Sequence, residues 1–158
     1  MKENRKIIFL NWIINIIVTI VFITLAMRGI DDLTGTYKID ETIRNTKEIR
    51  IALERYYQLT GTYPDLSRDG VNNNLNLLDY KDKDGKIISF ADIYGRKILA
   101  RTYGSNSIVA SNKVYNIQDF SNITERGGWN YDSKGNTGEI HPNLPDKIYV
   151  EKVNWFKQ

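Results

Sequence analysis

Ile7–Met27 reads IIFLNWIINIIVTIVFITLAM, an uncharged run with Lys2, Arg5 and Lys6 before it and Arg28 after it. As a helix it is about 31 Å long, close to the thickness of a bilayer's hydrocarbon core. A core helix of a small soluble domain has no need of so many consecutive apolar residues. The run therefore predicts a membrane-spanning helix over residues 7–28, preceded by a cytoplasmic tail at 1–6. Charge sets the orientation. The tail is basic, with only Glu3 opposing it, whereas Arg28 is followed at once by Asp31 and Asp32. Positive residues stay inside, which puts the bulk of the chain on the far side of the membrane. A cleavable secretory signal is the competing reading. Its apolar core would be about 7–15 residues and would end in a small-x-small site. Thr24-Leu25-Ala26-Met27 is no such site, so the prediction is an uncleaved single-pass anchor.

Within the span, Asn11, Asn15 and Thr19 recur every fourth residue and so form one polar stripe on a helix. An Asn surrounded by lipid lacks water as a partner. Hydrogen-bonding to a neighbouring helix is worth about 0.6–2 kcal/mol. The stripe is a candidate helix–helix contact. The bland alternative places Asn11 near the headgroups and lets Thr19 bond its own backbone.

The rest of the chain, about 130 residues, suffices for one modest domain. The net charge of +3 is mild and partly sits in the tail, which argues against a nucleic-acid surface. The absence of cysteine excludes a disulfide scaffold and a thiolate metal site.

Gly29, Asp31, Asp32 and Gly35 make a poor helix stretch, and a kinked or unwound linker is expected over residues 29–40. Asp40 is then the candidate N-cap of a new helix over 41–60. Ile49, Ala52, Leu53 and Tyr56 fall at offsets 0, 3, 4 and 7, the apolar stripe that packs a helix on a domain. Arg44, Lys47, Glu48, Arg50, Glu54 and Arg55 are read as its solvated face. Gly61 and Pro64 stop the helix. Residues 61–158 are expected to form a β-rich head. Its strand candidates are Lys86–Phe90, Lys97–Tyr103, Ser107–Ser111, Gly128–Asp132 and Ile148–Val153, with a turn at Gly104-Ser105-Asn106. A helix laid on a small antiparallel sheet is α+β architecture.

This plan resembles the type IV pilin and type II secretion pseudopilin superfamily. Besides the order of elements, the segment IALERYYQLTGTYP at 51–64 is similar to the helix end of major pseudopilins. Gly127-Gly128-Trp129-Asn130-Tyr131-Asp132, followed by Gly138-Glu139-Ile140 and Asn143-Leu144, is similar to a C-terminal strand pair of pilin-like proteins. Asp92-Ile93-Tyr94-Gly95-Arg96 echoes the family's turn before a strand. The chain departs from the family at its start. Lys6-Ile7-Ile8-Phe9-Leu10 replaces the usual leader junction, with no Gly before the span and no acidic residue inside it. The resemblance implies a pilin-like head on a non-processed anchor in a bacterial inner membrane, with the head periplasmic or at the cell surface. It further implies a structural or accessory role in a secretion or pilus assembly, with other pilin-like subunits or inner-membrane proteins as partners. The alternative is a membrane-tethered module that binds a glycan, DNA or an envelope protein without assembling.

Residues of catalytic type are sparse. His141, the single histidine, precedes Pro142 and is expected in a surface turn. No Gly-rich phosphate loop is present, and no enzyme or cofactor is predicted. Asp82-Lys83-Asp84-Gly85-Lys86 is a weak candidate calcium loop, set against an Asp-Gly hairpin turn. Trp129 and Tyr131 share a strand face, as core or as a partner surface. Trp155 and Phe156 suggest a last strand docked on the sheet. Asn122-Ile123-Thr124 matches a glycosylation sequon, relevant only in a eukaryotic host.

Overall fold

The computed structural model describes residues 2–105, 108–120, 124–148 and 151–157. Its dominant element is α1, Lys2–Thr60, one helix that begins before the apolar run and ends in the head. The helix hydrogen-bonding pattern continues through residues 29–40, so the expected unwound linker is absent and Asp40 lies inside the helix rather than capping it. The physical reason is cooperativity. Once a helix is nucleated, each added residue contributes its own hydrogen bond, and this outweighs the cost of about 1 kcal/mol for each glycine. Thr34 and Thr36 also fold their hydroxyls onto the Ile30 and Asp32 carbonyls, at 2.8 and 3.1 Å.

The head grips the last part of this helix. Gly35, Ile39, Thr42, Thr46, Ile49, Leu53 and Tyr56 are buried, at alternating spacings of four and three. Gly35 and Ile39 therefore belong to the face that the head covers, further back than the predicted boundary at 41. Tyr57 accepts the backbone N–H of Gly61 at 2.7 Å, and Gly61 takes the left-handed φ of 76° that ends the helix.

Strands are short. A hairpin joins β1 (Tyr80–Lys81) to β2 (Ile87–Ile88), antiparallel. A three-stranded sheet runs β3 (Val114–Asn116), β4 (Trp129–Tyr131), β5 (Ile140–Pro142) in that order. The β4–β5 pair is antiparallel, but β3 runs parallel to β4, which corrects the expectation of a wholly antiparallel sheet. A small antiparallel pair, β6 (Lys147–Ile148) with β7 (Glu151–Lys152), replaces the single strand expected over Ile148–Val153; residues 149–150 lie outside those described. Trp155 sits in a 3-10 turn, Trp155–Lys157, rather than a strand. A five-residue helix, α2 (Phe90–Tyr94), occupies the site of the expected Asp92–Arg96 turn and overlaps the end of the expected Lys86–Phe90 strand. Gly95 closes it with φ 75°.

Lys97–Tyr103 is not a strand, because other partners take its backbone groups. Leu99 N–H donates to the Asn72 carbonyl and Ala100 N–H to the Tyr94 hydroxyl. Ala100 and Arg101 carbonyls accept from Trp129 Nε1 and Asn45 Nδ2, and Tyr103 N–H donates to Thr42. Only an isolated antiparallel bridge, Thr102 with Ser111, remains of the expected hairpin; Asn106 and Ser107 lie outside the described residues, as do Asn122 and Ile123 of the sequon.

The main core gathers Ile49, Ala52, Leu53 and Tyr56 of α1 with Phe90, Leu99, Trp129, Tyr131 and Ile140. A second cluster joins Ile39 to Leu144, Ile148, Val153 and Trp155. The chain is thus α+β: a long N-terminal apolar helix bearing small sheets at its far end.

Candidate assembly interface

None of the apolar window of α1 is buried against the head, and its length and composition suffice to cross a membrane. On that bare rod the predicted polar residues share one side. Thr19 Oγ1 donates to the Asn15 carbonyl at 2.8 Å, which satisfies Thr19 locally. The side-chain amides of Asn11 and Asn15 make no hydrogen bond to another described residue. Trp12, Asn15, Ile16, Thr19 and Ile20 line a shallow groove of about 220 Å³. An amide carries both donor and acceptor groups. In lipid it reaches full hydrogen bonding only through another polar group brought alongside.

The head supplies a rigid block. Ile49, Ala52, Leu53 and Tyr56 lie in its core, with Tyr56 donating its hydroxyl to the Leu78 carbonyl at 2.9 Å. Trp129 and Tyr131 do share a face, but both are 0 % exposed. They are core, and no partner surface can be made of them. Asn130 between them is buried too, because Asn143 covers the other side of β4. Asn143 bonds the backbone N–H groups of Thr124 and Glu125 and the Gly127 carbonyl, closing the sheet with polar contacts.

His141 is not in a surface turn: it is a buried residue of β5. Its Nε2 lies 2.9 Å from Glu139 Oε1, and its Nδ1 lies 3.1 Å from Arg50 Nη2 and 3.2 Å from the Trp155 carbonyl. The Phe120 and Phe156 rings flank it, each with centroid 5.0 Å away. Arg50 reaches across from α1 and donates from Nε and Nη2 to the Ile140 carbonyl, at 3.2 and 2.8 Å. Its place in the predicted solvated face is therefore corrected: it ties α1 to β5, and burial lowers its pKa. Sequence periodicity missed this pair because both residues are polar, and polarity alone predicts solvent.

The Asp82–Lys86 segment forms the hairpin turn between β1 and β2. Asp82 Oδ1 accepts from the N–H groups of Asp84 and Lys86, at 3.0 and 2.8 Å. No group of three or more His, Asp or Glu side chains suited to a metal occurs among the described residues.

At the helix end, Tyr57 and Tyr63 stack with centroids 4.5 Å apart, and Tyr63 donates its hydroxyl to Glu54 at 2.6 Å. That bond, with burial a lesser cause, pushes the Tyr63 phenol up to about 12. The loop between β4 and β5 holds Tyr63 at two places, Asn136 at its backbone and Gly138 against its ring. Asn136 Oδ1 accepts Tyr63 N–H, and a Cβ at Gly138 would stand 2.3 Å from Tyr63 Cε1.

No family model matches the chain, and no curated protein or solved structure matches it with significance.

Proposed function

We propose that the chain is a pilin- or pseudopilin-like structural or accessory component of a bacterial secretion or type IV pilus-like assembly. In this reading the span of α1 holds it in the inner membrane, N-terminus in the cytoplasm, with the head extracytoplasmic. The observation that carries the reading is the continuity of α1: the helix whose apolar run is long enough to cross a membrane is the same helix around which the head is built. A force or displacement applied to the membrane segment reaches the head along a chain of backbone hydrogen bonds. The role is mechanical, and no covalent bond changes. Two further features support it. The segments that resemble pseudopilins, around Tyr63 and around Trp129–Tyr131, abut in the fold, and the Asn11 and Asn15 amides lie open on the membrane segment.

The cysteine-free sequence allows a direct test. Single replacements Asn11→Cys, Asn15→Cys and Thr19→Cys, oxidised in native membranes, should give ladders or mixed crosslinks to pilin-like partners. Monomer at every position contradicts the reading and leaves the tethered binding module in its place.

A further inference from the structure

His141 Nδ1 touches two groups that one nitrogen cannot serve together. Arg50 Nη2, 3.1 Å away, has only hydrogens to give, and the Trp155 carbonyl, 3.2 Å away, only lone pairs to receive them. A bare Nδ1 accepts from Arg50 and turns a lone pair on the Trp155 oxygen. A protonated Nδ1 donates to Trp155 and turns its hydrogen on Arg50. The proton on Nδ1 decides between them.

The other ring nitrogen sets the resting state. Glu139 Oε1 lies 2.9 Å from Nε2, and a carboxylate only accepts, so Nε2 keeps a hydrogen. A neutral imidazole has one hydrogen on nitrogen, which leaves Nδ1 bare and bonded to Arg50. The charged ring adds a second, on Nδ1, and so takes Trp155 while keeping Glu139. Among the described residues, Arg50 of α1 and Glu139 beside β5 are the charged groups in contact with the ring. The Phe120 and Phe156 rings pack on it and carry no charge. His141 is 6 % exposed, so a new charge there repels the nearby guanidinium more strongly than it would in water. Arg50 can yield without being stranded, because its Nε and Nη2 also hold the Ile140 carbonyl, at 3.2 and 2.8 Å.

We propose that His141 is a proton-operated latch, by which β5 exchanges α1 for the C-terminal turn as its partner. In the neutral state the ring ties β5 to Arg50 of α1. In acid one proton passes from solvent to Nδ1, the Arg50 contact opens, and the ring draws the Trp155–Lys157 turn onto β5 through the Trp155 carbonyl. The two sides of the strand thus respond to pH in opposite senses. The latch lies wholly within one head and needs no partner chain, so it stands apart from the assembly reading.

The test is nuclear magnetic resonance of the full chain in detergent micelles. His141 is the single histidine, so every imidazole nitrogen signal is its own. Trp155-Phe156 is the single Trp-Phe pair, so 13C at Trp carbonyls with 15N at Phe singles out that peptide. At about pH 8 the ring hydrogen should sit on Nε2 and not on Nδ1. Towards about pH 5 Nδ1 should gain its hydrogen, and the Trp155 carbonyl signal should move with the same midpoint. Protection of the 155–157 amides, corrected for intrinsic exchange, should rise about ten-fold, as one charge-assisted hydrogen bond would give. His141→Asn, which does not titrate in this range, should abolish both changes; if it fails to fold, the wild-type signals decide alone. A hydrogen already on Nδ1 at about pH 8 overturns the latch, as does a ring still neutral at about pH 5 in a folded head. So does a titrating ring that leaves the Trp155 carbonyl unmoved, or a carbonyl shift that persists in folded His141→Asn.

Discussion

Tyr131 donates its buried hydroxyl to the Pro64 carbonyl at 2.8 Å, across 67 positions of sequence. This bond fastens the middle strand of the sheet to the residue that ends the helix stop. It links the two segments whose sequences carry the pilin-like resemblance, and Trp129 sits beside it, bonded to the Ala100 carbonyl. Tyr131→Phe keeps the packing but removes a buried hydrogen bond and leaves the Pro64 carbonyl with the Leu66 N–H as its donor, at 3.0 Å. The expected loss is about 1–2 kcal/mol, read as a lower urea midpoint with an unchanged slope. An unchanged midpoint would show that water replaces the hydroxyl.

Gly128 and Gly61 both have left-handed φ, 83° and 76°, but differ in space. A Cβ at Gly128 would stand 2.3 Å from the Lys113 carbonyl oxygen, where β3 meets β4, whereas nothing lies within 4 Å at Gly61. Gly61→Ala should cost about 1–2 kcal/mol for backbone strain alone. Gly128→Ala adds overpacking of about 1–3 kcal/mol and should open the β3–β4 pair. Protease resistance of the head should fall sharply for Gly128→Ala and little for Gly61→Ala. Equal effects would contradict the close approach.

Arg50 acts as a strap between α1 and β5. Arg50→Ala should destabilise the head by about 1.5–3 kcal/mol, since hydrogen bonds from a charged group are lost at a partly buried site. Arg50→Lys should recover less than half, because an ammonium cannot reproduce the forked geometry. Hydrogen exchange should quicken at 140–142 and, through the His141 contact with the Trp155 carbonyl, at 155–157. Exchange unchanged at both segments would show that the strap carries no load.

High pH should loosen the head. Burial, chiefly, raises the phenol pKa values of Tyr56, Tyr94, Tyr103 and Tyr131 above 10.0, and the Glu54 bond raises that of Tyr63 to about 12. A raised folded pKa means that the neutral form is favoured in the fold. The associated stability is fully present below about pH 10, where unfolded tyrosine is also neutral, and is lost as pH rises through the folded values. Absorbance at 295 nm should show delayed ionisation accompanied by unfolding. Glu54→Gln should bring the Tyr63 titration back toward its ordinary value. Ordinary titration of every tyrosine near pH 10 with the head still folded would contradict this.

The sequence made some parts of this molecule legible and hid others, for physical reasons. The apolar run was visible from its length alone, and the Ile49–Tyr56 stripe because burial in a core imposes a period that side chains must obey. Trp129 and Tyr131 were placed on one face by strand alternation, but nothing local told that Asn143 would cover the other face. The helix through Gly29 and Gly35 was hidden because propensity is local and helix propagation is not. Ser89 and Gly95 bracket α2 and could have marked it, yet a helix of five residues leaves almost no periodicity. Arg50 and His141 escaped because they lie ninety-one positions apart, and His141 meets the Trp155 carbonyl of the last turn only through the fold.

A distance measured across the membrane boundary tests the single rod most directly. Val21→Cys and Lys47→Cys, both on exposed positions, take spin labels, with unlabelled chain added to dilute contacts between copies. One continuous helix places these backbones about 39 Å apart, so pulsed electron resonance in bilayers should give one narrow peak near that separation. A broad distribution, or one centred well below about 30 Å, would put a hinge in residues 29–40 and contradict the rod.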